Sequence, residues 1–543
     1  MTPPPQTAGT VAPIALYDRD RLRSRRDVRR VPNTVRVGLV AALIAGVAGW
    51  YSMRSGLATA YPDAISHASI ARRIWDADNA GFGQLGTVWL PVPHLLLAPL
   101  TLVGLGNEDW WRAGLPAVVL SSLCMGVAAS ALYRVLFRWR VTSWWVVVVA
   151  LGVYVLNPSN LYVHTTALTE PVLMAAMAMA AAGLSGFLAS DRPLTGGEVA
   201  VYAGLPAAAA VGSRYDGWVF AASAAVMLLL VAQARWHHWR YSLRVAVSFG
   251  FPSALLALWW VLLNATQYGD LLAFQRGPYS AGALQQQFAE LDLLPTQGSL
   301  SLSMYTYSWT IWYVLGVVVI AALVAGLVAI ALRERFTSPT VLVWVMMFPL
   351  PYHVMSLITG QTVIWHPHSE PPGLFNVRYA LPLLIPAVLA IGYVVNLTAR
   401  SWPQRIVLPL AVGVAVAFSY LFQVQLPTRA PVVMEARAQV PKQAALRTAV
   451  ETLRASASPT DTLLIDETAN PALVELGWDF SRVIGRYDSR FEAELAEPTA
   501  SWLLFNTENS ADAVRAAGLT NPEFRQRYTV QFRDGPILLL RRV

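Results

Sequence analysis

Runs of apolar residues long enough to cross a bilayer recur along this chain, and nothing else in the sequence restricts its fold as strongly. A helical span needs about 17–25 predominantly apolar residues, from the helical rise and the hydrocarbon thickness. Such runs lie at 36–53, 112–134, 142–158, 170–189, 198–213, 217–234, 245–266, 310–332, 338–356, 379–398 and 406–425, about eleven in all. Lipid offers no hydrogen bonds, so each run must satisfy its own backbone and reads as a helix. Composition agrees: 55% of residues are hydrophobic and 13% charged, outside the usual range of soluble domains.

The net charge of +8 is organised by topology. Arginines gather at alternate ends of the runs, in "RVLFRWR" (134–140), "DRP" (191–193), "RWHHWRYSLR" (235–244), "RER" (333–335) and "ARSWPQR" (399–405). That alternation is the positive-inside pattern, and it argues against nucleic acid as the partner. It also places the basic tail "DRDRLRSRRDVRR" (18–30) in the cytoplasm. The alternative, a signal peptide cleaved after "ATA" (58–60), leaves the next loop on the same outer side. The single cysteine, Cys124, sits inside an apolar run and forms no intrachain disulfide. The segment "TVWLPVPHLLLAPLTLVG" (87–104) would break the alternation if counted as a span. Its three prolines and a histidine suit a juxtamembrane helix in the outer interface.

The expected architecture is an all-α polytopic membrane protein of about eleven transmembrane helices with outer juxtamembrane helices, plus a small C-terminal extracytoplasmic α/β domain. Residues 1–35 form the basic cytoplasmic tail, 36–427 the transmembrane domain and 428–543 the outer domain. In the last, "TLLID" (462–466), "SWLLFN" (501–506), "YTVQF" (528–532) and "ILLLRR" (537–542) read as strands, and "KQAALRTAVETLRA" (442–455) as an amphipathic helix. An odd span count puts this domain on the same side as the first loop. The chain shows none of the inverted repeats that many transporters carry.

Polar residues that interrupt or border the spans are costly, and they converge on the outer side. Asp63 and His67 lie four apart in "YPDAISH", so a helix would present both on one face. His94 follows in the juxtamembrane segment. Glu170 and His164 stand at the outer end of the fourth run, Arg214 and Asp216 in "SRYDGW", and Arg276 in the loop after the seventh. "IWHPHSEPPGLFNVRYALP" (364–382) contributes His366, His368, Asn376, Arg378 and Tyr379. Each also has a structural reading. Asp63 suits a helix cap, Glu170 a helix-start acid, and Arg214 and Arg378 headgroup anchors. Asp76 and Asp78 read as a solvated turn, and His366 and His368 as solvated loop histidines without the ligands of a metal site.

Together, two carboxylates and several arginines at one depth suggest a chemistry. Guanidinium forks grip phosphate oxygens, and a nearby carboxylate can take a proton from an acceptor hydroxyl. Stabilising a phosphate leaving group lowers the barrier to cleaving an anomeric C–O bond. The set therefore fits transfer of a sugar from a lipid phosphate outside the cytoplasm.

The layout resembles the GT-C glycosyltransferases that use polyprenyl-phosphate sugars, among them the protein O-mannosyltransferases and the bacterial aminoarabinose transferase of lipid A. The resemblance rests on Asp63 soon after the first run, followed by "QLGTVWLPVPHLLLAPL" (84–100). It rests also on "NEDWWRAGLPAVVLS" (107–121), Glu170-Pro171, "SRYDGW" and "NVRY". It covers roughly the first 400 residues. What it implies is an inverting transferase in the cell membrane, moving a hexosyl or pentosyl group, mannose or arabinose first, from a polyprenyl-phosphate donor. The acceptor is a glycan, lipid or protein. Asp63 is then the general base, with Glu170 beside it. Arg378, Arg214 and Arg276 hold the phosphate, and His67, His94, Asp216, Asn376 and Tyr379 line the cavity. Many relatives carry an acidic pair where this chain has Asp63 alone, so a divalent cation is not carried over with the resemblance. Two rivals remain: a transporter or lipid flippase using the same cavity, and a scaffold. An enzyme requires Asp63, Glu170 and Arg378 around one outer cavity.

Overall fold

The computed structural model describes residues 31–543 except 87, 103–106, 142, 278–279, 335–337, 400, 402, 426–429, 472 and 521. The basic tail at 18–30, parts of the junctions at 333–335 and 399–405, and the domain boundary at 428 lie outside the described residues.

Eight described helices are long and apolar enough to cross a membrane. They are α1 (Thr34–Arg54), α4 (Leu115–Arg138), α6 (Glu170–Ala189), α8 (Asp216–Trp236), α9 (Trp239–Tyr268), α12 (Ser338–Ile358), α13 (Val377–Thr398) and α14 (Gln404–Gln425). Between them lie α2 (Pro62–Asp76), α3 (Pro91–Thr101), α5 (Trp144–Val155), α7 (Gly196–Val211), α10 (Leu300–Leu315) and α11 (Val317–Arg333). Each of the eleven expected runs is largely helical over its described residues, but they are not eleven equivalent spans. The 12 residues of α5 rise only about 18 Å, and α7 is also short. The run at 310–332 is not one straight helix: α10 and α11 meet at 105°. Gly316, at φ +77, forms the corner, a backbone conformation that residues with a Cβ rarely adopt.

Burial sorts the helices. Small residues dominate α6 in "MAAMAMAAAG", and the helix is enclosed on nearly all sides, as expected for a helix apolar all round. The peripheral helices α1, α9 and α14 leave large apolar side chains such as Leu43, Leu255 and Phe418 exposed, which suits contact with lipid. Small residues allow close crossings where no hydrophobic force separates helix from lipid. A Cβ on Gly126 of α4 would lie 2.7 Å from the Gly38 carbonyl oxygen of α1. One on Gly183 of α6 would lie 2.0 Å from the Tyr202 carbonyl oxygen of α7.

The segments 462–466, 501–506, 528–532 and 537–542 do form strands, together with an unforeseen two-residue strand. β1 (Leu463–Ile465), β2 (Val483–Ile484), β3 (Trp502–Asn506), β4 (Tyr528–Asp534) and β5 (Ile537–Arg542) make one mixed sheet in the order β2-β1-β3-β5-β4. β1 runs parallel to β2 and β3, and β5 antiparallel to β3 and β4. Two helices, α15 (Pro431–Lys442) and α16 (Ala444–Ser456), lead into it from α14. The sheet region sits on α2. Arg73 Nη1 donates to Glu467 Oε1 at 2.9 Å, and the Arg72 guanidinium lies 4.9 and 5.0 Å from the rings of Trp111 and Phe480. Asp76, expected in a solvated turn, instead accepts from Arg72 Nε at 2.8 Å and from the Phe480 backbone N–H at 3.2 Å. Two apposed donors outweigh hydration there.

Replacing Gly183 by leucine puts a side chain where the α7 backbone already lies. The expected outcome is a loss of about 1–3 kcal/mol or more, read as a lower Tm in detergent; an unchanged Tm would refute the close-crossing account.

Candidate active site

Arg378 enters the site from the 3-10 turn that opens α13 (Val377–Leu383), entered through Asn376 at φ 58. Its side chain is buried and bridges two carboxylates from distant segments. Nε donates to Glu170 Oε1 at 2.9 Å and Nη2 to Asp63 Oδ2 at 2.6 Å. Arg214 Nη1 donates to the same Glu170 oxygen at 2.8 Å, and its Nε faces Asp216 Oδ2 at 3.4 Å. The ring of Tyr379 lies 4.7 Å from the Arg214 guanidinium, and that of Tyr61 lies 4.6 Å from the Arg378 guanidinium.

The local sequence explains these positions. Pro62 occupies the first turn of α2, and Tyr61 is its cap residue. Asp63 is thus not the cap but a first-turn acid, favourably placed against the helix dipole. Glu170 begins α6 in the same way, with Thr169 as the cap residue and Pro171 behind it. Asp216 begins α8. Three acids at three helix starts therefore face two arginines.

Accessibility differs within the cluster. The Glu170 side chain is 2% exposed and that of Asp63 37%. Both arginines use one Glu170 oxygen, so Glu170 Oε2 is buried with no hydrogen-bond partner, as is Arg378 Nη1. An unpaired buried guanidinium N–H beside an accessible carboxylate is a vacant donor of the kind an anionic group would accept from.

Beneath Asp63, His67 and His94 form a buried pair, Nδ1 to Nε2 at 2.9 Å, with the Trp89 ring 4.5 Å from that of His67. Burial, reinforced by Arg378 and Arg214, holds the His67 imidazole down at about 3. His94 is lowered for the same leading reason, with His67 and Arg73 adding to it. Both are neutral at physiological pH, so one donates to the other. Backbone contacts hold α3 and the 212–216 turn together: Val92 N–H donates to Gly212 O at 2.9 Å, and the Tyr215 hydroxyl to Val88 O at 3.0 Å.

Other expected residues fall elsewhere. Arg276 is exposed on the short helix Ala273–Arg276 and makes no ion pair with the cluster. The Asn376 amide is committed to Val363 O at 3.0 Å, a turn-building role. His164 is a core residue on Asn160 O at 2.8 Å. Of the two histidines expected to be solvated in a loop, His366 is buried and only His368 is exposed. His366 is buried on Thr306 O at 3.1 Å, and His368 stacks on Trp309 at 3.9 Å while meeting the Tyr313 hydroxyl at 2.7 Å. Aromatic surface on α10 holds both in place. Among the described residues no three His, Cys, Asp or Glu side chains are grouped so as to hold a metal ion.

Two participants were not foreseen. Tyr61 stands two residues before Asp63, in plain view in "YPD". Glu435 comes from α15, beyond the last span, and is 3% exposed. Its charge is felt by Tyr61, and it in turn feels Arg378, Asp63 and Glu170. Burial raises its carboxyl to about 7, against the pull of Arg378. The only signal for it was an acid after the apolar "PVVM".

No family model matches the sequence, and no curated protein does. Among solved structures, the chain is similar to ArnT from Cupriavidus metallidurans bound to undecaprenyl phosphate, with a TM-score of 0.57 at 13% identity over 94% of this chain and 99% of that one. It is also similar to the apo state of the same protein, with a TM-score of 0.52 at 12% identity over 88% and 93%. The likeness spans nearly the whole of both chains and shows that they share the GT-C fold.

The neutral histidines make stability depend on pH. An unfolded imidazole titrates near its ordinary value of 6.5 and the folded one of His67 at about 3, so the unfolded state binds the extra proton between these values. The contribution is present above 6.5 and lost as pH falls toward 3. His67→Gln should flatten the decline of Tm across that window relative to the parent; parallel Tm–pH curves would contradict the neutral pair.

Proposed function

We propose that this chain is an inverting glycosyltransferase that moves a sugar from a polyprenyl-phosphate donor to an acceptor hydroxyl on the extracytoplasmic face of the cell membrane. The observation that carries this reading is the Arg378 fork. It joins Asp63 to Glu170, yet it keeps one buried N–H without a partner. In this reading the donor phosphate accepts from that N–H and competes with Asp63 for the guanidinium. Asp63, more accessible than Glu170 or Asp216 in the same cluster, is thereby released to act on the acceptor. It takes the hydroxyl proton as the acceptor oxygen bonds to the anomeric carbon. The bond from that carbon to the phosphate oxygen breaks, its electron pair leaving with the lipid phosphate, whose charge Arg378 and Arg214 stabilise. Glu170 holds both arginines in place, and Tyr379 stacks on Arg214. A single displacement of this kind inverts the anomeric configuration.

Support comes from the shared fold, from the undecaprenyl phosphate bound to one structure of that fold, and from the arginine alternation, which favours a cytoplasmic N-terminus. The sheet region packs on α2 and so shares the side of Asp63. The acceptor class, whether glycan, lipid or protein, belongs to the test.

In liposomes with labelled polyprenyl-phosphate mannose and arabinose and a membrane extract as acceptor pool, the parent should form a labelled product. Asp63→Asn should lower turnover about 100-fold or more while leaving expression intact. Near-normal turnover by D63N would sink the base assignment, and vectorial movement of the lipid with no new glycosidic bond would favour a flippase.

A further inference from the structure

The mechanism above leaves a proton on Asp63, beside the guanidinium that must next receive another phosphate. A proton there costs Asp63 its charge–charge contact with Arg378, so the cycle resets faster if the proton moves on. Glu435 is placed to take it. It lies on α15, which packs against the 3-10 turn carrying Arg378 and against the helix Pro158–Val163. Its Oε2 is buried without a hydrogen-bond partner, and so is the Tyr61 hydroxyl. These two groups interact, short of a closed hydrogen bond, while the Tyr61 ring rests on Arg378. An unpartnered buried carboxyl oxygen is expensive to keep for packing alone.

We propose that Glu435 is the proton-holding residue of this site: the acceptor's proton passes from Asp63 through the Tyr61 hydroxyl to the Glu435 carboxylate. The inference rests on the transferase reading above. The step balances. The acceptor O–H bond breaks and its proton reaches Asp63; Asp63 returns it to the Tyr61 oxygen as the Tyr61 hydrogen passes to Glu435 Oε2. No electron is transferred. The charged and titratable neighbours are Asp63 and Tyr61 at the start of α2, Glu170 on α6, Arg378 on the 3-10 turn and Tyr162 on the Pro158–Val163 helix. On α16, Arg447 turns instead to Thr59 O and Gln443. Burial, with the charges of Asp63 and Glu170 adding to it against the pull of Arg378, explains why Glu435 takes up a proton near neutrality. It receives one from Asp63 only while ionised, so turnover should fall as pH drops below about 7.

The test uses the full chain in liposomes with a labelled polyprenyl-phosphate sugar, measuring kcat and KM against pH. Glu435→Gln should lower kcat about tenfold or more, abolish the acid limb and leave KM for the donor within about threefold. Glu435→Asp should restore part of the rate and a displaced limb. Tyr61→Phe keeps the ring on Arg378 and removes only the hydroxyl, so it should reproduce the E435Q loss and guards against misfolding of E435Q. An activity-independent readout is the infrared carbonyl band of a protonated carboxyl, which should titrate near pH 7 in the parent and vanish in E435Q. Parental kcat with an intact acid limb in E435Q or Y61F overturns the relay, as does absence of the titrating band. D63N inactive with E435Q parental refutes the relay alone; D63N active, or a parent that moves no sugar, overturns the underlying reading and the relay with it.

Discussion

A single buried guanidinium organises this molecule. Arg378 ties the start of α2 to the start of α6 and shares Glu170 with Arg214 from the α7–α8 turn, so four segments meet at one oxygen-rich point. Removing one partner from such a pair leaves an uncompensated charge at a cost of about 3–5 kcal/mol. The same low-dielectric surroundings that make an unpaired charge costly make a paired one directional. That directionality leaves Arg378 Nη1 and Glu170 Oε2 vacant instead of closing the cluster on itself.

The scaffold supplies the rigidity this arrangement needs. α6 is enclosed on nearly every side and carries Glu170 at its first residue; α13 is similarly enclosed and carries Arg378 in its opening turn. The accessible partner, Asp63, stands on α2, which is too short to span. It is held by α3 on one face, by the sheet region through Arg73, Arg72 and Asp76 on another, and through Ile70 by a cluster with Trp260 of α9.

Much of this was legible in residues. Apolar runs announce helices because length and composition alone decide membrane compatibility, and Asp63, Glu170, Arg214 and Arg378 announced themselves by interrupting those runs at one depth. The corner at Gly316 was hidden because a glycine between two apolar stretches changes neither hydropathy nor length. Asp76 was misread because a charge in a loop looks the same in sequence whether water or an arginine solvates it. β2 is two residues long, too short for any alternation to show. Glu435 was invisible for a different reason: its surroundings are assembled entirely from other parts of the chain.

The contact between Arg73 and Glu467 joins positions 394 residues apart, and Glu435 meets Tyr61 across a comparable interval. A ribosome building this protein completes α2 and α6 long before either partner exists, and α13 before both. The nascent chain therefore holds an ion cluster whose outer wall is still missing, and every span must insert before that wall can fold back over the first loop. A product stopped short of α15 keeps its two arginines and their carboxylates but lacks the piece that encloses them. The order of synthesis thereby ties completeness of the chain to completeness of the site.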